Sequence, residues 1–399
     1  MAGPLSLRWR ALGLLLLLEM PAGWVQASPS SEYADRAAEL EGKRDARAWL
    51  ALADFAEGRL LWKEREAALR QALALAPGNA EAHARLDEVK AGKEWLPADE
   101  AEAREAGEKQ AKGLVLYGGG WIRPKEADRL READRDAAGW AVDFRLDTPH
   151  LRIYSARPLA FTRRLAAILE SEIGIYQGLY SGAFRLDPEP LLFRVYVFAD
   201  RDTFGRVVAR DGGPPVDALT PGIYGSGTRI LYVGVPAGDS EAMGVTTAAH
   251  EMLHALDDLA AHLFRKCPLW VEEGRAHHLG YGVRGRRILP GQAAVSGKDG
   301  ILQELSAAVD GADLRDLMGP DHEAFTLRQY AIAWAWIHFL LHGKEGGHAP
   351  RFRTYLQGLP GKASVADFEK AVGKLSDLEP EFKRYVKEAL IPAAESSRP

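Results

Sequence analysis

From about Glu32 to Ala138 the chain is built of Ala, Glu, Arg and Leu with almost no β-branched residues. Such a composition favours helix and gives a pleated sheet little to hold, so this region is expected to be consecutive amphipathic helices without a strand. Near residue 145 the texture changes. The stretches "HLRIYSARP" (His150 to Pro158) and "LLFRVYVFA" (Leu191 to Ala199) alternate β-branched and aromatic residues and read as strands, with the helical spacing of "AFTRRLAAILESEIGIYQGLY" between them. A third strand, "TRILYVGV" (Thr228 to Val235), follows the glycine-rich turn "PGIYGSG", and the remainder is mostly helix. Strands first and helices afterwards predict an α+β domain over residues 145–394, a small sheet followed by a helical subdomain, behind an all-α region over residues 32–140.

Within the helical region, Trp49, Leu52, Ala53, Leu69, Ala72 and Pro77 fall near the spacings of a tetratricopeptide unit. The stretch resembles one such unit, except that Arg65 stands where a small residue is usual. A single unit cannot bury its own apolar face, so it must pack on neighbouring helices or on the second domain, and it offers a surface for a protein partner. "EWLPADEA" (Glu94 to Ala101) and "GWIRPKEA" (Gly120 to Ala127) share Trp, Pro and Glu-Ala at matching offsets, 26 residues apart. They read as two Trp-containing turns leading into helices, with Asp99 and Pro124 near the helix starts, and serve as packing devices.

The chain opens like an export signal over residues 1–27: Arg8 and Arg10, the apolar run from Ala11 to Leu18, then "VQA" ending at Ala27. An uncleaved anchor is the rival, but Glu19 ends a run far short of the roughly 20 apolar residues that span a bilayer. Cleavage after Ala27 leaves an exported chain, periplasmic or secreted, with no membrane segment. Cys267 is the only cysteine, which rules out an internal disulfide or a thiolate metal cluster. The formal net charge of −5 argues against a nucleic-acid partner. "RGRR" (Arg284 to Arg287) reads as a solvated loop.

The chemistry concentrates in "TTAAHEMLHAL", residues 246–256. Residues four apart share one face of a helix, so His250 and His254 can aim two imidazoles at one zinc ion, with Glu251 beside them within reach of water. Val245, Ala249, Met252, Leu253, Leu256, Leu259 and Leu263 form the opposite, buried stripe. A third ligand is required, and "LWVEEGRAHHLG" (Leu269 to Gly280) offers Glu273, with eighteen residues after His254 for a loop and a returning helix. Gly274 would allow that helix to pack closely at the metal. Asp257 and Asp258 are candidates to orient the ligand histidines, with surface charge as the alternative. His277 and His278 are placed to line a cleft, with simple packing as the alternative, and neither is read as a ligand.

His250, Glu251, His254, Trp270 and the Glu-Gly-x-Ala of Glu273 to Ala276 resemble the gluzincin metallopeptidases, closest in texture to the bacterial peptidase MA-like domains that often follow tetratricopeptide-like helices. The resemblance covers most of residues 145–360. It implies that His250, His254 and Glu273 ligate zinc and that Glu251 is the general base. "QYAIAWAWIHFLL" (Gln329 to Leu341) is similar to the helix of aminopeptidase N relatives whose leading tyrosine stabilises the tetrahedral intermediate, which puts Tyr330 in that role; the alternative is that Tyr330 belongs to the core. The Gly-Ala-Met-Glu-Asn stretch that binds a free amine in those aminopeptidases is missing, and "SEAMGV" near Met243 does not replace it. The expectation is therefore an endopeptidase acting on a peptide or protein substrate, laid as an added strand along Thr228 to Val235. The rivals are a catalytically idle scaffold whose N-terminal helices bind a protein partner, and a metal-dependent hydrolase acting on something other than peptides.

Overall fold

The computed structural model describes residues 29–59, 61–180, 192–216, 220–234, 241–290, 300–319 and 325–396. The proposed export signal lies outside them. Among the described residues no helix is long and apolar enough to cross a membrane.

The chain begins with α1 (Pro29–Leu40), α2 (Ala46–Gly58), α3 (Trp62–Leu75) and α4 (Ala80–Arg85). Asp45 caps α2 by accepting from the Arg47 and Ala48 N–H groups, and Asn79 caps α4 through the Ala82 N–H. Trp49, Leu52, Ala53 and Ala56 of α2 are buried with Ala68, Leu69 and Ala72 of α3. Arg65, the residue at odds with a tetratricopeptide unit, is buried between these helices because Glu57 accepts its Nε–H at 2.7 Å and the Arg85 carbonyl accepts a second bond.

The expectation of a strand-free region over 32–140 is wrong. Two antiparallel hairpins interrupt the helices: β1 (Glu88–Ala91) with β2 (Glu94–Pro97), leading into α5 (Ala98–Ala111), and β3 (Val115–Tyr117) with β4 (Gly120–Ile122), leading into α6 (Pro124–Ala138). Gly118 and Gly119 form the second two-residue turn with φ of +62° and +83°, the pair of left-handed conformations that a type I′ hairpin turn demands. The few β-branched residues of the region, Val89, Val115 and Ile122, all sit in these strands. The two Trp motifs are therefore the second strands of hairpins. Trp95 stacks on His83 at 4.0 Å, and Trp121 donates its indole N–H to Glu105 at 3.1 Å.

The second region is mixed α+β. It carries β5 (Phe144–Asp147), β6 (Leu151–Ser155), α7 (Leu159–Tyr180), β7 (Phe193–Phe198), α8 (Arg201–Arg210), β8 (Gly222–Gly225) and β9 (Ile230–Gly234). These strands form one sheet in the order β5-β6-β7-β9-β8, parallel at β6/β7 and β7/β9 and antiparallel at both edges. The three strands expected from the sequence are β6, β7 and β9. Alternation sets the two faces: Phe193, Val195, Val197, Leu231 and Val233 join the main core, whereas Tyr196, Phe198, Ile230 and Tyr232 meet Trp140 and Phe204 on the other side. The glycine-rich stretch read as a turn supplies the edge strand β8. Consequently β9 is interior, with both sides paired, and Ile230–Gly234, the described strand within the expected stretch, cannot accept an added one; among the described residues that edge belongs to β8.

Next come α9 (Glu241–Leu259), α10 (Leu269–Gly280), the short hairpin β10 (Val283–Arg284) with β11 (Arg287–Ile288), α11 (Ile301–Ala308), α12 (Leu314–Leu317) and α13 (Leu327–Gly346). The chain closes with α14 (Ala349–Gln357), α15 (Val365–Ala371) and α16 (Leu375–Tyr385), which runs through one π turn (Val386–Leu390) into α17 (Ile391–Ser396). The "RGRR" stretch is not a solvated loop. Arg286 is only 8% exposed and pairs with Asp99 and Glu102 of α5, Arg287 donates to the Ala84 carbonyl at 2.6 Å, and Arg164 of α7 donates to the Gly285 carbonyl. This hairpin, attached directly to α10, ties the N-terminal region to the second one.

Candidate metal centre

His250 and His254 lie one turn apart on α9, and their Nε2 atoms approach to 3.2 Å. The helix buries Val245, Ala248, Ala249, Met252, Leu253 and Leu256 in the main core, which fixes its rotation and leaves the two imidazoles directed toward α10. There Glu273 meets both: Oε2 is 3.3 Å from His250 Nε2, and Oε1 is 3.8 Å from His254 Nε2. The three residues expected as ligands are thus neighbours, each imidazole beside a different oxygen of the Glu273 carboxylate.

Two contacts hold α10 in position for this. A Cβ at Gly274 would stand 2.7 Å from both the Ala333 carbonyl oxygen and Ile337 Cγ1, so the glycine lets α10 lie directly on α13. Arg275 and Asp257, each wholly buried, form a bidentate ion pair at 2.9 and 3.0 Å between α10 and α9. Tyr176 donates to the same carboxylate at 2.7 Å, and the guanidinium lies 4.3 Å over the Tyr180 ring. Asp257 is therefore neither a partner of the ligand histidines nor a surface charge. Asp258 instead accepts from the Tyr224 hydroxyl at 2.8 Å.

The carboxylate beside the histidines is Glu272, which the sequence reading missed. It is 5% exposed, its Oε1 lies 3.7 Å from His254 Nδ1, and its Oε2 accepts the Arg265 N–H. Burial, reinforced by the neighbouring Glu273 charge, pushes its carboxyl up to about 7. Burial also opposes ionisation of Glu273, but His250, His254 and His277 outweigh it and hold that carboxyl down at about 2. For His250 the cost of burial is outweighed by Glu273 and the pKa rises, whereas for His254 burial prevails and the pKa falls.

Glu251 turns toward the sheet edge. Its Oε2 accepts the backbone N–H of Tyr224 in β8 at 2.7 Å. A Cβ at Gly222 would come within 2.8 Å of Thr247 Cγ2 and 3.0 Å of the Tyr232 carbonyl, so glycine at this strand position lets α9 and β8 approach. Tyr330, at the start of α13, packs on His277 at 5.0 Å and on Phe325 at 5.6 Å. Burial first, then the Glu273 and Glu251 carboxylates, push its phenol well above the ordinary range, which places it in the field of the site. Its packing also fits the alternative of a core residue. His278 turns away from the site to meet His342 at 2.9 Å.

The residues present suit a divalent cation with an affinity for nitrogen. Two imidazoles and a carboxylate are a zinc donor set, and Glu273 Oε2 is buried and makes no hydrogen bond among the described residues beyond its ion-pair contact with His250 Nε2 at 3.3 Å. No protein-family model matches the chain, and no curated protein does. The functional reading therefore rests on this geometry.

Proposed function

We propose that the chain is an exported zinc metallopeptidase of gluzincin type, cleaving within peptide chains, with a tetratricopeptide-like N-terminal region that carries a protein partner. The observation behind this reading is the convergence of His250, His254 and Glu273, with Glu251 facing the sheet edge beside them. When bound, zinc supplies Lewis acidity and lowers the pKa of coordinated water to roughly 7. The three ligands fix the ion, and the Arg275–Asp257 pair keeps their two helices in register.

Glu251 is the proton carrier. The Tyr224 N–H orients one carboxylate oxygen, leaving the other to take a proton from water and pass it to the leaving amine. Tyr330 retains its proton at neutral pH and is a donor to the developing oxyanion. The substrate backbone adds to β8, the edge strand next to Glu251, in place of β9. Strand addition reads backbone more than side chains, which suits an endopeptidase.

The test is metal content and peptide hydrolysis of the purified protein. About one zinc per chain is expected, lost in Glu273→Ala and kept in Glu251→Gln, with hydrolysis abolished in both variants. A Glu251→Gln variant as active as the parent would remove the mechanism. Stoichiometric zinc without cleavage of any peptide would favour the idle scaffold.

A further inference from the structure

We propose that His277 is a fourth protein ligand to the same metal, which makes the resting site closed. The inference rests on the zinc reading above and adds to it. Helix α9 presents His250 and His254 four residues apart, and α10 presents Glu273 and His277 at the same spacing, so each of two packed helices contributes a pair from one face. Donor atoms of His250, Glu273 and His277 lie within 4.8 Å of one another, and those of His254, Glu272 and Glu273 form a second such group that shares Glu273. The His277 ring stands edge-on to His250 at 4.4 Å.

The tautomer is set by a hydrogen bond. His277 Nδ1 is 3.0 Å from the Glu273 backbone carbonyl, which can only accept, so Nδ1 carries the proton and Nε2 its lone pair. A backbone carbonyl on one ring nitrogen is the usual way a protein orients a histidine whose other nitrogen binds a metal. The same bond excludes the other obvious role, because a lone pair cannot donate to an oxyanion; that role stays with Tyr330. Tyr330 and Tyr281 pack against the ring at 5.0 and 5.3 Å. Four protein donors leave no open position, which is the mark of a closed site. With His277 bound, activation of water by Glu251 would require displacement of that imidazole.

The experiment loads the full chain and its His277→Ala variant with Zn²⁺ or Co²⁺ and measures affinity by chelator competition and the visible ligand-field bands of the cobalt form. Removing an outer residue that only orients a ligand weakens metal binding by about 10–100-fold. A direct ligand should exceed about 100-fold, change the cobalt bands, and have both effects reversed by added imidazole. Unchanged affinity and bands would overturn the proposal, as would weakened affinity with unchanged bands, which would make His277 a positioning residue for Glu273. If His277→Ala does not fold, His277→Phe keeps a ring against Tyr330 and is read the same way. A parent chain that binds no metal overturns the zinc reading itself; a parent that binds metal as tightly as His277→Ala does overturns only this inference.

Discussion

Replacing Asp257 by Asn tests whether the site is held together by one buried ion pair. Asp257 and Arg275 are both wholly buried, and the carboxylate accepts three bonds: two from the guanidinium at 2.9 and 3.0 Å and one from the Tyr176 hydroxyl at 2.7 Å. An amide keeps the shape but carries no charge, and its NH₂ faces a cation. The Arg275 charge is then buried without a counter-ion, a defect that costs about 3–5 kcal/mol. Domains of ordinary stability have about 5–15 kcal/mol in total, so a large share is removed. Urea unfolding should show a lower midpoint at unchanged slope. Because the pair joins α9 three residues beyond His254 to α10 two residues beyond Glu273, zinc affinity should fall as well. Replacing both partners, Asp257→Leu with Arg275→Met, should recover most of the stability, since no buried charge remains. A loss below about 1 kcal/mol in Asp257→Asn would mean that water reaches the pair, and the argument that it fixes the ligand helices would fail.

The remaining predictions concern the phenol and a second buried acid. Tyr330→Phe should lower kcat with little change in KM, because its hydroxyl is assigned to the transition state alone; an equal loss in both would make it a packing residue. Glu172 of α7 is wholly buried with neither carboxyl oxygen bonded among the described residues, and burial raises its pKa well above 4.5. The folded chain therefore holds a proton that the unfolded chain gives up above pH 4.5, so this residue's contribution is intact below that pH and is lost as pH rises toward the folded value. Glu172→Met has no such slope. Its stability advantage should grow by about 1.4 kcal/mol per pH unit as pH rises above 4.5 toward the folded value, measured by urea midpoints; a constant gap would show that the carboxylate finds a partner in the fold.

Much of the site was legible because helical spacing is local. His250 and His254 share a face wherever an α-helix forms, and Gly274 marks a close approach before its partner, α13, is known. The strands β6, β7 and β9 announce themselves through alternation, since both faces of the sheet are buried under different cores. The hairpins β1–β2 and β3–β4 were hidden because each has only one or two β-branched residues between strongly helix-forming neighbours. Their signal was the glycine turn followed by Trp, a two-residue feature that a window of composition averages away.

Electrostatic partnership was not legible at all. Asp257, Asp258 and Glu272 are three acids near the same motif, and nothing local says which one faces Arg275, which faces Tyr224 and which lies beside His254. The sequence by itself determined the donor types, their spacing along each helix and the α+β order of elements, because those depend on the period of a helix or strand. Tertiary structure alone decided that β8 is the edge strand beside Glu251, that "RGRR" is an inter-region clamp, and that His277 stands edge-on to His250. Those outcomes depend on which surfaces remain after every apolar face has found a partner, a property of the whole packed chain that no local stretch carries.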